Sequence, residues 1–300
     1  MSESLQRCWP VMVLAHNEER HIGRCIDSIL ASDPGAPLQV YVMANGCTDR
    51  TEDIVRQHAM RDPRVHLVSI QLGDKCNAWN VFIHDTVPAD CPANEIYFFM
   101  DGDAQVKPGS FSAMYRVMQE QQDANAVSAP PASGRSMRHD REELLRDRGL
   151  VANLYALRGR FVDRCREMAV RLPLRLEGDD GVIGALARWD LNPRKPMDPK
   201  YIVPCPEAGF VFASFSLLKP SDWLAYWKRM VRYGRRRYEF KLLAPRLKAG
   251  GVAAMPADIR EIYVDAGRLR LKWEGVYTIT NWLALREMRL RGEKIASSTR

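Results

Sequence analysis

Two aspartates separated by one glycine follow an aromatic-rich apolar run of strand length. The run covers residues 96–100, and Asp101, Gly102 and Asp103 come directly after it. Ligands bind beyond the carboxyl ends of buried strands in open α/β sheets. Carboxylate oxygens at such a place are hard ligands, which suit a divalent cation that carries a phosphorylated substrate. The same residue types are common in turns, so the motif alone leaves a simple turn as the alternative.

Composition restricts the class of protein. The chain has 300 residues, 46% of them hydrophobic and 27% charged, which fits one large α/β domain with an appendage, or two domains. No apolar run approaches the roughly 20 residues of a membrane span, and the N-terminus lacks the pattern of a signal peptide. We expect a cytoplasmic protein, with peripheral contact to the inner membrane face as an open alternative.

Cysteine usage and charge narrow the choice of partners. The 7 cysteines are scattered and odd in number, which predicts reduced thiols and disfavours a disulfide framework or a structural zinc site. The net charge is +7, from 44 Lys and Arg against 37 Asp and Glu. This balance suits phosphate-bearing ligands or an anionic membrane surface. Nucleic acid is not favoured, because no recognised binding motif accompanies the charge.

The elements that must position the aspartates alternate along the chain. Apolar runs predict strands at residues 11–14, 40–43, 65–70, 96–100 and 126–129. A helix is predicted after each of the first four, and Asp49 with Glu52 resembles a capping box that opens the second helix near Thr51. This β-α repetition predicts a mostly parallel sheet with helices on both faces.

The pattern changes after two consecutive prolines at 130 and 131. Residues 132–148 are either a solvated loop with an exposed helix or a mobile flap over the site. A strand pair is predicted within residues 201–214, and helices from residue 221 to the end. We expect an α/β catalytic domain over residues 1–215 and a helical C-terminal extension over residues 216–300.

Four polar segments follow the first four predicted strands. They contain carboxylates, amides and one lysine, and they cover residues 15–19, 44–49, 73–80 and 101–103. Because parallel strands end at one edge of a sheet, we expect these segments to lie close together in space. Such a set could hold a nucleotide and a metal ion.

In order and spacing these segments resemble the motifs of family 2 glycosyltransferases of the GT-A fold. The matching residues are Asn17-Glu18, the turn at 45–49, the segment at 75–80, and Asp101-Gly102-Asp103. The resemblance covers residues 10 to about 190. One departure is that the usual carboxylates of the second turn are replaced by Ala44 and Asn45, so base recognition would depend on an amide.

The resemblance implies roles for individual residues on the donor side. Asn17, Glu18 and Asn45 would bind the nucleotide together with Lys75. Asp101 would contact the ribose or the donor sugar. The metal ligand would be Asp103, which would hold Mg2+ or Mn2+ against the diphosphate of a nucleotide-sugar donor, with a UDP-sugar favoured.

A second acidic cluster, Asp179 and Asp180, precedes an apolar helical stretch. Acidic residues at a helix start are favoured by the dipole alone, so simple capping is one interpretation. By resemblance, Asp180 would be the general base that takes the proton from the acceptor hydroxyl, with Asp179 as the alternative.

Three arginines at helical spacing, Arg229, Arg232 and Arg236, are predicted to share one helix face. They form either a solvated face or, by resemblance, a basic segment in which Arg232 and Arg236 contact the donor pyrophosphate.

The resemblance therefore implies a metal-dependent inverting glycosyltransferase that transfers a hexose or related sugar. A non-catalytic scaffold of the same fold is the main alternative, and a sugar-phosphate nucleotidyltransferase is disfavoured because the first loop is not glycine-rich and basic. The acceptor is not readable. Aromatic and basic residues over 223–238 and 273–291 suit a lipid-linked acceptor at a membrane surface or, equally, a helical cap.

Overall fold

A seven-stranded sheet forms the centre of the molecule in the computed structural model, which describes residues 8–87, 95–134, 137–212 and 220–298. The strands are β1 (Trp9–Ala15), β2 (Leu38–Asn45), β3 (Val65–Ile70), β4 (Ile96–Asp101), β5 (Ala104–Val106), β6 (Ala126–Ser128), β7 (Leu154–Arg158), β8 (Ile202–Pro204) and β9 (Phe210–Phe212). The order in the sheet is β3-β2-β1-β4-β7-β6-β8, and β5 pairs with β9 in a separate sheet. Only β7 runs antiparallel to its neighbours in the large sheet, which is mostly parallel as expected.

Helices cover the sheet and continue beyond it. They are α1 (Ile22–Ser32), α2 (Thr51–Arg61), α3 (Lys75–Val81), α4 (Ser110–Glu120), α5 (Met137–Asp147), α6 (Gly159–Glu167), α7 (Asp179–Arg188), α8 (Pro220–Gly250) and α9 (Tyr277–Ser298). Helix α3 continues as a π-helical turn over Phe82–Thr86, and a long 3₁₀ helix spans Ile259–Arg268. Among the described residues, no helix combines the length and hydropathy that a membrane crossing requires.

The central strands are apolar along their whole length because both of their faces are buried. Val11 and Phe98 pack in one core with α1 and α4. The alternate residues Met12 and Phe99 point to the other face, where they share a core with α7, α8 and α9. The expectation of helices on both faces of the sheet is confirmed.

The C-terminal helices belong to the second of these cores. Leu243 and Leu247 of α8 and Met288 of α9 are fully buried in the same cluster as the sheet residues. Helix α9 lies very close to the 3₁₀ helix, since a Cβ at Gly292 would be 2.2 Å from the carbonyl oxygen of Tyr263. The domain boundary near residue 215 stays a prediction.

Two local predictions were wrong. The strands within residues 201–214 do not pair with each other, because β8 joins β6 in the large sheet and β9 joins β5 in the small one. The capping box at Asp49 and Glu52 does not form. Asp49 accepts from the backbone and hydroxyl of Thr51, whereas Glu52 turns to Arg56 on its own helix.

Helix α5 lies within the segment for which a loop with an exposed helix and a flap were both open. It is helical over Met137–Asp147, and Leu144 is its one buried residue among those described. The flap interpretation stays a prediction.

Candidate active site

The loops after β1 and β2 hold each other in place. Asn17 has a left-handed backbone (φ 56°), and its side-chain oxygen accepts from the Thr48 backbone at 2.8 Å. The Glu18 backbone donates to the Thr51 hydroxyl at 2.8 Å. The side-chain oxygen of Asn45 accepts from the backbone of Asp74 at 2.9 Å. Three of the predicted donor-binding residues therefore lie in one connected set of loops at the carboxyl edge of the sheet.

The Asp101-Gly102-Asp103 motif is shaped by a close approach of β1. The Gly102 backbone donates to the Leu14 carbonyl at 2.8 Å, and a Cβ at Gly102 would lie at the same distance from that oxygen. Glycine is therefore the residue that lets β4 leave the sheet here with a carboxylate on each side of the turn. Asp101 is half-buried and Asp103 reaches solvent.

Lys75 bridges the two acidic clusters that the sequence identified separately. Its ammonium lies 3.2 Å from Asp101 and 3.3 Å from Asp179. Burial alone would lower the pKa of Lys75, but the charges of Asp101, Asp179 and Asp180 outweigh it and raise the pKa. Burial likewise raises the pKa of Asp101 and of Asp179, and the lysine charge opposes both shifts.

The second acidic cluster lies in the first turn of α7, where its two carboxylates have different partners. Asp179 contacts Lys75, whereas Asp180 accepts a hydrogen bond from the guanidinium of Arg236 on α8. The absence of a side chain at Gly178 leaves room for this arginine, since a Cβ there would be 3.3 Å from the Arg236 side chain. Asp180 also accepts from the Gly181 backbone at 2.7 Å, and both acids lie in the first turn of α7, where the helix dipole favours them, so the capping interpretation stays open.

A buried network that the sequence did not reveal supports this turn from behind. Glu239 of α8 is completely buried; it accepts from the Glu177 backbone at 3.0 Å and from the Tyr263 hydroxyl at 2.5 Å. Arg235 forms ion pairs with Glu177 and with Glu287 of α9. No local signal could have shown these contacts, because Glu239 is 62 residues from Glu177.

A large cavity opens beside Asp180. It has a volume of about 1320 Å³ and lies between α5, the start of α7 and α8. Asp180 and Arg236 contribute to its wall, whereas Asp101, Asp103 and Lys75 do not. Asp180 therefore lies between the cluster of Asp101, Asp103 and Lys75 and this open cavity.

Of the three arginines predicted to share a face, Arg236 is the one that contacts the acidic cluster. Arg229 stacks over the ring of Tyr233 and donates to its hydroxyl at 2.6 Å. Arg232 is exposed, and it forms no ion pair with the side chains that the structure describes.

The residues around Asp103 fit a hard divalent cation. Desolvation and the nearby charge of Glu18 raise the pKa of Asp103, and no lysine or arginine forms an ion pair with it in the described part of the chain. A cation would relieve this repulsion. Within the described ranges, no three His, Cys, Asp or Glu side chains cluster as a metal site. An ion here would therefore take further oxygens from a bound diphosphate and water.

The sheet order, the loops at its carboxyl edge and the helical C-terminal region define a GT-A glycosyltransferase fold. The family model described as Glycosyl transferase family 2 matches residues 11–170. This match covers more than half of the chain, and the chain belongs to that family. Among curated proteins, no sequence matches it.

Two solved structures illustrate the likeness. The mannosyltransferase PcManGT from Pyrobaculum calidifontis, in complex with GDP-Man and Mn2+, is 17% identical with a TM-score of 0.61; the match covers 96% of this chain and 87% of that chain. Glucosyl-3-phosphoglycerate synthase from Mycobacterium tuberculosis, in complex with Mn2+, UDP-glucose and phosphoglyceric acid, is 21% identical with a TM-score of 0.50. That match covers 77% of this chain and 79% of the other.

Proposed function

We propose that this protein is a metal-dependent, inverting glycosyltransferase that moves a hexose or related sugar from a nucleotide-diphosphate sugar to an acceptor hydroxyl. The observation that carries the proposal is the different placement of the two adjacent carboxylates. Asp180 lines the large cavity, whereas Asp179 is bound to Lys75 together with Asp101. One carboxylate, paired with Arg236, thus faces the space open to an acceptor, while the other organises the donor side.

In the proposed reaction, Asp180 takes the proton of the acceptor hydroxyl. The acceptor oxygen forms a bond to the anomeric carbon as the bond from that carbon to the diphosphate oxygen breaks. The electron pair leaves with the nucleoside diphosphate, and attack from the opposite side inverts the anomeric centre. Lys75 and Arg236 place positive charge where negative charge grows on the leaving group.

Asp103, with Glu18 nearby, would hold Mg2+ or Mn2+. When bound, the cation supplies Lewis-acid stabilisation of the diphosphate. The two similar structures support this assignment, since both contain Mn2+ with a nucleotide-sugar, GDP-Man in one and UDP-glucose in the other. A UDP-sugar is the favoured donor, and we assign Asn45 as the residue that contacts the nucleobase of the donor.

The Asp180→Asn variant tests the proposal. The amide keeps an oxygen for Arg236 but cannot take a proton, so we expect release of nucleoside diphosphate from the sugar donor to fall by about 100-fold or more, with nucleotide binding retained. Asp163→Asn, at an exposed position of α6, is the matched control.

Binding is measured as thermal stabilisation by UDP, GDP, dTDP and CDP, each with Mn2+ and with a chelator. A nucleotide at about 100 times its Kd adds roughly 2.7 kcal/mol to the free energy of unfolding. Wild-type turnover by Asp180→Asn would exclude Asp180 as the base. If no nucleotide stabilises the protein, the non-catalytic scaffold becomes the better explanation.

A further inference from the structure

Arg175, shortly before the second acidic cluster, has a backbone conformation that is unfavourable for a residue with a Cβ. Its φ is 63°, in the left-handed region that glycine enters without cost. Residues 176–178 then lead directly to Asp179 and Asp180 in the first turn of α7. Strained residues persist where surrounding contacts hold them, and they are common at functional sites. The contacts that hold Arg175 therefore help to decide where the second acidic cluster lies.

Asp74, at the start of α3, binds the backbone of Arg175 directly. One carboxylate oxygen of Asp74 accepts from the Arg175 backbone N–H at 2.6 Å. The other oxygen accepts from the Asn77 backbone at 2.9 Å and caps the N-terminus of α3. The backbone N–H of Asp74 donates to the side chain of Asn45 at 2.9 Å. One residue thus connects the loop after β2, the start of α3 and the segment that leads into α7.

Helix α3 supports the same segment through two more contacts. The side chain of Asn80 donates to the Leu172 carbonyl at 2.9 Å and accepts from the Leu172 backbone at 2.7 Å. The thiol of Cys76 donates to the Leu176 carbonyl at 3.6 Å. Both of these side chains are buried, whereas Asp74 is half-buried. Of the three contacts, the one made by Asp74 is the one that binds the strained residue.

Other contacts of this segment fix its neighbours but not the backbone torsion of Arg175. The backbone of Leu174 donates to Ala257 at 2.9 Å and accepts from Ile259 at 3.0 Å, so the chain is held up to residue 174. The guanidinium of Arg175 pairs with Asp258, and its side chain is 43% exposed. Exposed ion pairs contribute little, and this one orients the side chain. A charged acceptor on a backbone N–H is stronger, so we attribute the conformation of Arg175 to Asp74.

We propose that Asp74 is a positioning residue for the second acidic cluster, an inference that rests on the glycosyltransferase function proposed above. Its carboxylate stabilises the left-handed conformation of Arg175, and this conformation directs Asp179 to Lys75 and Asp180 to Arg236. Because Asp74 also binds Asn45, it keeps the donor loop and the cluster in a fixed relation. Asp74 acts through Arg175 and is assigned no contact with a substrate.

The Asp74→Ser variant removes this contact and keeps the helix cap. Serine is a good N-cap, but its single oxygen leaves the Arg175 N–H without an acceptor. With UDP-glucose and Mn2+, we expect release of UDP to fall by about tenfold, because the reacting groups are misplaced. The Kd of UDP with Mn2+, measured by calorimetry, should change by less than about twofold, because the backbone contact with Asn45 remains.

Asp198→Ser is the matched control for this variant. Asp198 is likewise an N-cap, of the short 3₁₀ helix Pro199–Tyr201, and its carboxylate accepts from the Lys200 backbone at 3.0 Å. We expect the control to release and to bind UDP as the wild type does. A tenfold loss in the control as well would show that exchanging a capping aspartate is enough to slow the enzyme, and the assignment to Asp74 would fail.

Rescue at position 175 separates positioning from a merely structural role. In the Asp74→Ser background, Arg175→Gly should recover about fivefold in the rate of UDP release, because glycine takes a positive φ without support. Arg175→Ala should not recover it, since alanine keeps the Cβ. Both substitutions remove the ion pair with Asp258, so the difference between them reports the backbone conformation. Equal rates for the two double variants would overturn the proposal.

Hydrogen exchange gives a readout that does not depend on turnover. In Asp74→Ser we expect the amides of residues 175–181 to exchange about tenfold faster than in the wild type, and those of α3 to be unchanged. Unchanged exchange over 175–181, or equally faster exchange in α3, would overturn the proposal and leave the glycosyltransferase function intact. A wild-type protein that neither binds nucleotide nor releases it from a sugar donor would instead overturn the proposed function.

Discussion

Adjacent residues in the first turn of α7 have different surroundings although their side chains are chemically identical. Asp179 is held against Lys75, and Asp180 faces Arg236 and the cavity. Successive helical residues point about 100° apart, so two neighbouring carboxylates can serve two sides of a site. This divergence favours Asp180 over Asp179 as the base.

Lys75 is predicted to stabilise the folded protein because it separates Asp101 from Asp179. Lys75→Gln removes the cation and leaves two half-buried or buried carboxylates facing each other. Breaking a fully buried ion pair costs about 3–5 kcal/mol, but the lysine side chain is 36% exposed, so we expect a loss of about 2 kcal/mol.

Urea denaturation at pH 7 measures this loss. Lys248→Gln, on the exposed end of α8, is the control, and we expect it to be nearly neutral. If the two variants are equally stable, Lys75 does not offset the repulsion between Asp101 and Asp179.

The position of Asp101 and Asp103 at the sheet edge could be predicted from the sequence, whereas the cationic partners of the acidic residues were harder to find. Asp101 and Asp103 follow a strand whose burial is evident from its own residues, so their place at the sheet edge follows from local pattern. The pairing of Arg236 with Asp180 joins residues 56 positions apart. Helical spacing put Arg232 and Arg236 on one face but could not show that only Arg236 meets the acidic cluster.

At the scale of elements, Glu239 joins α8 to the turn before α7 and to the 3₁₀ helix. Replacing it by alanine leaves the Tyr263 hydroxyl and the Glu177 backbone without their acceptor. We expect a loss of about 1–3 kcal/mol in the free energy of unfolding. Glu293→Ala, exposed on α9, is the matched control and should change stability little.

The same residue predicts a pH dependence. Burial raises the pKa of Glu239, so the folded protein keeps a proton at pH values where the unfolded chain has released it. Its contribution is therefore favourable below the unfolded pKa of about 4.3 and is lost as pH rises through the folded pKa. Urea denaturation at a series of pH values above the unfolded pKa measures this decline in the free energy of unfolding. The decline should be smaller for Glu239→Gln than for the wild type. If the two curves of stability against pH are parallel, the assignment to Glu239 is wrong.

Long apolar elements were predictable and short pairings were not. Strands β1 and β4 are continuous apolar runs buried on both faces, and even the half-exposed edge strand β3 is rich in apolar residues. Strands β5 and β9 have three residues each and pair across more than 100 positions, so neither contains a signal for the other. The apolar residues of β7 are typical of a strand, but they do not show that this strand runs antiparallel to β4.

At the scale of the whole molecule, the sheet separates two cores, and the helical C-terminal region completes one of them. Helix α8, which packs with α9 against the sheet, also places Arg235, Arg236 and Glu239 behind the acidic cluster. Under the proposed function, a region that the sequence suggested as a cap would thus also supply charges to the reaction.

Under the proposed function, the ion pair between Arg236 and Asp180 implies an order of substrate binding. While the pair persists, the carboxylate of Asp180 is engaged, so an acceptor that arrives first does not find a free base. The diphosphate of a donor offers Arg236 a more highly charged partner and frees Asp180. We therefore expect compulsory-order kinetics, with the sugar nucleotide entering first. Product inhibition by the nucleoside diphosphate should be competitive with the donor, and a random-order pattern would show that the pair opens without it.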